Sequence, residues 1–238
     1  SSERTMPRER HSASAAATLA VASLATALVL AIFTVPLTTL TQTADALGAG
    51  PGAQSWILSA MSVGAASGLL GSGAIGDDYG RRRIFLAGTL VMALASVLGA
   101  LAPTALVLIL ARIAQGLGGA AILACGLGLI GQVYSGAALL RATAIWAGAL
   151  GAGVAIGPIL SSALSGPGTW TAPYWASAVA TAILALAGRF FLAESRATTP
   201  RRIDIAGTLL LGSGIAALLA GLTQVRTGWA QPSVYVLF

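Results

Sequence analysis

Residues 104–132 read TALVLILARIAQGLGGAAILACGLGLIGQ, an apolar run that carries a single charge, Arg112. A helix needs about 20 mostly apolar residues to cross the hydrocarbon core of a bilayer. This run is long enough, so it predicts a membrane-spanning helix and decides the fold class of the chain.

Composition extends this interpretation to all 238 residues, of which 56% are hydrophobic and 8% are charged. A soluble domain carries about 25% charged residues, and a chain this apolar has too few polar side chains to cover its own surface. All thirteen basic residues are arginines, which lie mainly in short clusters between apolar runs. This arrangement favours anchoring at a membrane surface, so no nucleic-acid partner is expected.

Further apolar runs lie on both sides of the quoted one. The predicted spans are 15–40, 53–75, 84–102, 104–132, 142–164, 172–193 and 205–225. We therefore predict an all-α membrane protein. Its parts are a cytoplasmic tail over 1–14, a six-helix bundle over 15–193, a cytoplasmic linker over 194–204, and over 205–238 a seventh spanning helix with the start of an eighth. Because the chain begins at Ser1 and stops within an apolar run, we expect it to be a fragment of a longer protein.

The arginines fall at alternate ends of these spans, which predicts the orientation of the chain. Cytoplasmic loops carry an excess of basic residues, so the N-terminus is expected in the cytoplasm. Arg226 lies at an opposite end and Arg112 within a span; the eleven that alternate are Arg4, Arg8, Arg10, Arg81, Arg82, Arg83, Arg141, Arg189, Arg196, Arg201 and Arg202.

Arg112 is the most informative single residue, because a central arginine costs a spanning helix about 2.5–3.5 kcal/mol on insertion scales. Such a side chain usually faces a bundle interior or a wet cavity. Gln115 lies three positions later on the same helix face and extends a polar strip. The alternative is that Arg112 snorkels to the nearer, outer interface.

Two glycine-containing stretches also have two interpretations each. In the fifth span, Gly153 and Gly157 permit close helix contact and Pro158 bends the helix, either as a pivot or as ordinary membrane packing. Between the second and third spans, residues 73–83 read GAIGDDYGRRR, which suits either a gating loop or a charged topology anchor at the inner leaflet.

Enzymatic and metal chemistry find no support in the sequence. Two G-x-G-x-x-G patterns, at 71–76 and 126–131, lie within apolar runs and not after a strand, so they are interpreted as packing glycines. The absence of lysine excludes a P-loop in this segment. Cys125 is predicted to be a buried packing residue, and His11 a solvated tail residue. We expect no cofactor, no metal site and no enzyme.

Together these stretches resemble the major facilitator superfamily of transporters. Residues 73–83 resemble its loop motif G-x-L-a-D-r-x-G-r-r-r, with Asp78 where the family usually has arginine. Residues 108–120 resemble its helix-4 motif, and 153–162 its antiporter-associated helix-5 motif, with serines in place of the usual glycine pair. The loop residues that match are Gly73, Asp77, Gly80, Arg81, Arg82 and Arg83.

Residues 201–229 further resemble the region after helix 6 in the 14-helix drug:proton antiporters. The fold implied is a major facilitator N-terminal bundle plus a seventh helix. One departure concerns the aspartate often found in helix 1 of that subfamily. If Pro36 is the proline that ends its pattern, Ala27 occupies the aspartate position. Any coupling acid is then expected to be Asp77, Asp204 or a group in the missing half.

The resemblance implies a multi-pass transporter of the bacterial cytoplasmic membrane that exports small organic molecules or drugs in exchange for protons. Arg112 and Gln115 would present polarity to a central cavity and assist transport or proton coupling. The glycines and proline of the fifth span would limit leak, and the loop would lock the cytoplasmic side shut. The expected partners are the lipid bilayer, a small organic substrate, protons and the missing C-terminal half. A uniporter or symporter of the same superfamily, or a non-transporting membrane scaffold or sensor, is the alternative.

Overall fold

In the computed structural model, which describes residues 6–194 and 205–225, the chain is all-α. Seven helices within these residues are long and apolar enough to cross a membrane. They are α1 (Met6–Leu47), α2 (Pro51–Tyr79), α3 (Arg81–Ala100), α4 (Ala105–Val133), α5 (Gly136–Leu164), α6 (Ala172–Phe191) and α7 (Ile205–Val225).

The predicted fold class is confirmed, but several helices are longer than the apolar runs that predicted them. Helix α1 includes residues 6–13 of the predicted tail and continues to Leu47, through most of the predicted 41–52 loop. Arg141 lies within α5, and not in a link that precedes it. Hydropathy marks only the hydrocarbon-embedded part of a helix, whereas backbone hydrogen bonding continues into the polar interface. Residues 195–204 of the predicted linker, and the predicted start of an eighth helix, lie outside the described residues.

Helix α4 is central and packs against α1, α2 and α3. Its contact with α2 is close enough to require glycine, since a Cβ on Gly64 would overlap the backbone carbonyl of Ile113. A Cβ on Gly118 would likewise lie 2.6 Å from the carbonyl oxygen of Gly88 in α3. Small residues let membrane helices gain van der Waals contact through backbone approach.

Each of the remaining helices packs mainly against one helix of this central group. Helix α5 packs mainly on α1, α6 on α3, and α7 on α2. The α2–α7 contact includes a hydrogen bond of 2.9 Å in which Trp56 Nε1 donates to Gln224 Oε1.

Large apolar side chains remain exposed on the outside of the bundle. Leu140 is 75% exposed, and Phe190 and Leu210 are exposed to a similar degree. In water such an apolar surface would drive association, whereas in a bilayer it meets lipid chains. The burial pattern therefore agrees with a membrane protein.

Candidate functional site

Arg112 lies in the interior of the bundle, as the eighth residue of α4. Its side chain is completely buried, with 0% exposure. The interpretation in which it snorkels to the outer interface is therefore wrong for this structure. An ionised group in this position needs hydrogen-bond partners from the neighbouring helices.

Helix α1 supplies two of those partners where its own hydrogen bonding is interrupted. Pro36 has no N–H, so it cannot bond the carbonyl of Ile32 four residues earlier, and its ring pushes that carbonyl aside. Arg112 Nη1 donates to this Ile32 oxygen at 2.9 Å, and Nη2 donates to the Phe33 oxygen at 2.9 Å. The proline in α1 thus leaves an acceptor that the guanidinium satisfies.

Gln115 completes the polar cluster from the same helix face. Arg112 Nη1 donates to Gln115 Oε1 at 3.0 Å, and Gln115 Nε2 donates to Ser96 Oγ of α3 at 3.0 Å. Ser96 Oγ in turn donates to the Met92 carbonyl at 2.8 Å. Among the described residues no carboxylate forms an ion pair with Arg112, so carbonyl and amide dipoles stabilise its charge.

The structure differs from the sequence expectation for Arg112 and Gln115. Arg112 and Gln115 were expected to present polarity to a cavity, but both are 0% exposed and point into the interface of α1, α3 and α4. The physical reason is the pair of accepting carbonyls on α1, which solvate the guanidinium in place of water.

A groove lies beside this cluster, between α1, α2 and α4. It encloses about 310 Å³ and includes Phe33, whose carbonyl binds Arg112, as well as Met61 and Leu69. Its lining is almost entirely apolar, and Ser62 is its one hydroxyl-bearing residue. Gly116 and Gly119 provide its α4 wall. The groove and the Arg112 cluster therefore share a segment of α1.

Residues 73–83 form the end of α2, a turn at Gly80 and the start of α3. Gly80 has φ +112°, a conformation that favours glycine. Arg81 Nη2 pairs with Asp77 at 2.7 Å, and Arg81 Nη1 donates to the Gly128 carbonyl of α4 at 2.9 Å. Arg81, the first residue of α3, therefore joins the C-terminal end of α2 to α4.

The other arginines of this loop contact the end of α6 and the residues after it. Arg82 donates to the Arg189 carbonyl, and Arg83 Nε lies 3.3 Å from Glu194 Oε2. A Cβ on Gly80 would meet the Glu194 carboxylate, which can move aside, so the positive φ is what favours glycine here. Gly73 lies one turn before Asp77, with open space around it apart from Ala124.

Two glycines of α5 pack against α1. A Cβ on Gly153 would overlap the Ala27 carbonyl oxygen, and one on Gly157 would lie 2.7 Å from the Ala31 Cα atom. Pro158 lies within an α5 that continues through it. Ala27, the position that the resemblance equates with an aspartate, is thus part of this close α1–α5 contact.

Sequence reasoning identified Arg112 and Gln115 but missed most of their partners. Pro36 carried a usable signal, because a proline within a span always frees the carbonyl four residues earlier. Ser96 carried none, since many serines occur in these spans.

Comparison with known proteins places these features in context. The family model described as Major Facilitator Superfamily matches residues 19–236. The puromycin resistance protein pur8 of Streptomyces alboniger is 33% identical over 190 residues, which cover 79% of this chain and 38% of that protein. The multidrug efflux pump LfrA of Mycolicibacterium smegmatis is 36% identical over 152 residues, covering 63% of this chain and 30% of that one.

A solved structure, that of a mutant of the peptide transporter POT in complex with sulfate, gives a TM-score of 0.68 at 12% identity. The match covers 92% of this chain and 48% of that chain. At this identity the similarity shows the fold alone. The chain spans little more than a third of the length of curated relatives such as pur8.

Proposed function

Because the chain belongs to the major facilitator superfamily, we propose that the whole protein is a secondary active transporter that exports small organic molecules in exchange for protons. The names of pur8 and LfrA, a resistance protein and a multidrug efflux pump, support drug-like cargo. The protein is then a transporter and not an enzyme. It lies in the bacterial cytoplasmic membrane with its N-terminus in the cytoplasm, as the arginine distribution favours.

Apart from family membership, the observation that supports this proposal most is the hydrogen bonding of Arg112 to α1. These hydrogen bonds join α4 to the segment of α1 that also lines the apolar groove. A substrate in the groove would contact Phe33, so its arrival is transmitted to the Arg112–Gln115 pair through α1. In this way the pair assists transport and coupling although it is not exposed to the groove.

We propose alternating access as the mode of transport, and the close packing of this bundle supports it. Helices α2 and α4, and α1 and α5, approach so closely at glycines that a single Cβ would collide. Closely packed interfaces do not deform continuously, so rocking is expected between this bundle and the C-terminal half. Gly153 and Gly157 keep α5 against α1, and together with Pro158 in the same helix they are proposed to limit leak.

The cytoplasmic cluster of Asp77, Arg81, Arg82 and Arg83 is proposed to lock the inner side in one state. Arg81 holds Asp77 from one side, while the Asp77 side chain remains 49% exposed. That exposure leaves the carboxylate accessible to a helix of the other half. The acidic side chains described in the structure, Asp45, Asp77, Asp78 and Glu194, lie at or near helix ends. Any coupling acid is proposed to be Asp77, Asp204 or a residue of the C-terminal half.

The test is flux through the full-length protein in proteoliposomes, with a panel of lipophilic compounds that includes puromycin. We expect accumulation against a concentration gradient when a pH gradient is imposed, and its collapse on addition of a protonophore. Equal flux with and without the pH gradient would indicate a uniporter. The absence of flux for the whole panel would favour a scaffold or sensor.

A further inference from the structure

Several buried polar side-chain atoms lack a hydrogen-bond partner among the described residues, and two of them belong to neighbouring parts of α4 and α6. One is Nε of Arg112, whose side chain is 0% exposed. The other is the hydroxyl oxygen of Tyr174, which is 1% exposed. An unsatisfied buried donor or acceptor loses its hydrogen bonds to water and gains none in the protein, which is unfavourable. Two in one core therefore need an explanation.

The two residues belong to the same region of the bundle. Tyr174 lies in the first turn of α6 and shares a buried cluster with Leu108, which is one turn before Arg112 on α4. Side chains on a helix lean toward its N-terminus, so the Arg112 side chain extends toward the Leu108 level. Gly99 of α3 lies against both Tyr174 and Leu108, since a Cβ there would lie 3.0 Å from the Tyr174 ring and 3.5 Å from a methyl carbon of Leu108.

The position of the Tyr174 ring is fixed independently of its hydroxyl. A Cβ on Gly99 of α3 would lie 3.0 Å from the Tyr174 ring, so the absence of a side chain there makes room for it. Trp170 meets the ring edge-on, with centroids 6.0 Å apart. Phenylalanine would make the same apolar contacts without burying a hydroxyl. The hydroxyl therefore requires a polar partner of its own.

One small molecule suits both unsatisfied atoms. The Arg112 Nε–H can only donate, and a tyrosine hydroxyl can donate or accept. A water molecule accepts from one and bonds the other at the same time, and buried waters typically make about three hydrogen bonds to groups of this kind. A direct bond between the two side chains is not formed.

We propose that one buried water bridges Arg112 Nε and the Tyr174 hydroxyl, which makes Tyr174 a positioning residue for the guanidinium. The polar cluster then joins four helices, α1, α3, α4 and α6. Its importance for transport rests on the function proposed for Arg112, whereas the water site itself does not.

The experiment uses the full-length protein in lipid bilayers, with arginine labelled at Nε and observed by proton-detected solid-state NMR. The Arg112 resonance is assigned from its loss in Arg112→Lys. We expect magnetisation transfer from water to this Nε–H in the wild type and its loss in Tyr174→Phe. Tyr134→Phe, which removes a hydroxyl outside the cluster, should leave the transfer unchanged. Failure to see transfer in the wild type, or equal transfer in Tyr174→Phe, would overturn the proposal.

A double-mutant cycle gives a second measurement that does not depend on assignment or on transport. We expect Tyr174→Phe to lower the thermal unfolding midpoint by about 2–4 °C in the wild-type background. In Arg112→Lys, which retains a charge but lacks the Nε–H, the decrease should be less than half as large. Equal decreases in both backgrounds would show that the hydroxyl acts independently of Arg112.

Discussion

Arg112 combines a high desolvation cost with an unusually specific set of acceptors. Its planar guanidinium donates hydrogen bonds to two successive carbonyls of α1 and to the Gln115 side-chain amide oxygen at the same time. A lysine ammonium is a compact point charge and does not reproduce this geometry. The identity of the residue, and not only its charge, is therefore expected to matter.

The pairing of Arg112 with Gln115 could be predicted from their three-residue spacing, because such residues share a helix face. Their other hydrogen-bond partners could not be predicted from the sequence. The carbonyl of Ile32 lies 80 residues away in sequence, and every residue has a carbonyl. Only the packing of α1 on α4 selects this one, with Pro36 making it available.

Gln115 provides the residue-scale test of the cluster. Gln115→Leu removes an acceptor from Arg112 and the donor to Ser96, so the free energy of unfolding should fall by about 1–3 kcal/mol. The matched control is Gln132→Leu, at an exposed position on the same helix. Thermal unfolding of the two variants in parallel checks this, and equal midpoints would contradict the proposed network.

At the scale of helices, the bundle is held together by glycine contacts. Along α5 the glycines differ sharply, since Gly153 and Gly157 face α1 at contact distance and Gly148 and Gly151 have nothing within 4 Å. The sequence predicted close contact for the first pair from its four-residue spacing. It did not indicate that α1 is the partner helix, which depends on the tertiary arrangement.

This difference yields a paired prediction. Gly153→Ala places a methyl group against the Ala27 backbone, and such overpacking costs about 1–3 kcal/mol. Gly151→Ala, two residues away, meets open space and should unfold at the wild-type midpoint or slightly above it. A Gly153→Ala variant as stable as Gly151→Ala would contradict the α1–α5 contact.

Helix number and order were predictable because each span must cover the hydrocarbon core. The residues at which each helix begins and ends were harder to predict, because polar residues at the membrane interface continue a helix without adding to the apolar run. Residues 6–13 show this most clearly, because they are polar and yet continue α1.

At the scale of the whole molecule, arginines join the helices of the bundle at one end. Arg81 joins α2 to α4, and Arg83 pairs with Glu194 beyond α6. The centre is fastened by Arg112. These contacts favour a bundle that behaves as one body, which includes the apolar groove between α1, α2 and α4.

The most direct measurement is transport by full-length Arg112→Ala in proteoliposomes, normalised to the amount of inserted protein. The matched control is Arg141→Ala, which removes an exposed arginine near the start of α5. We expect Arg112→Ala to insert normally and to lose transport, while Arg141→Ala retains it. Wild-type transport by Arg112→Ala would contradict the role assigned to the buried guanidinium.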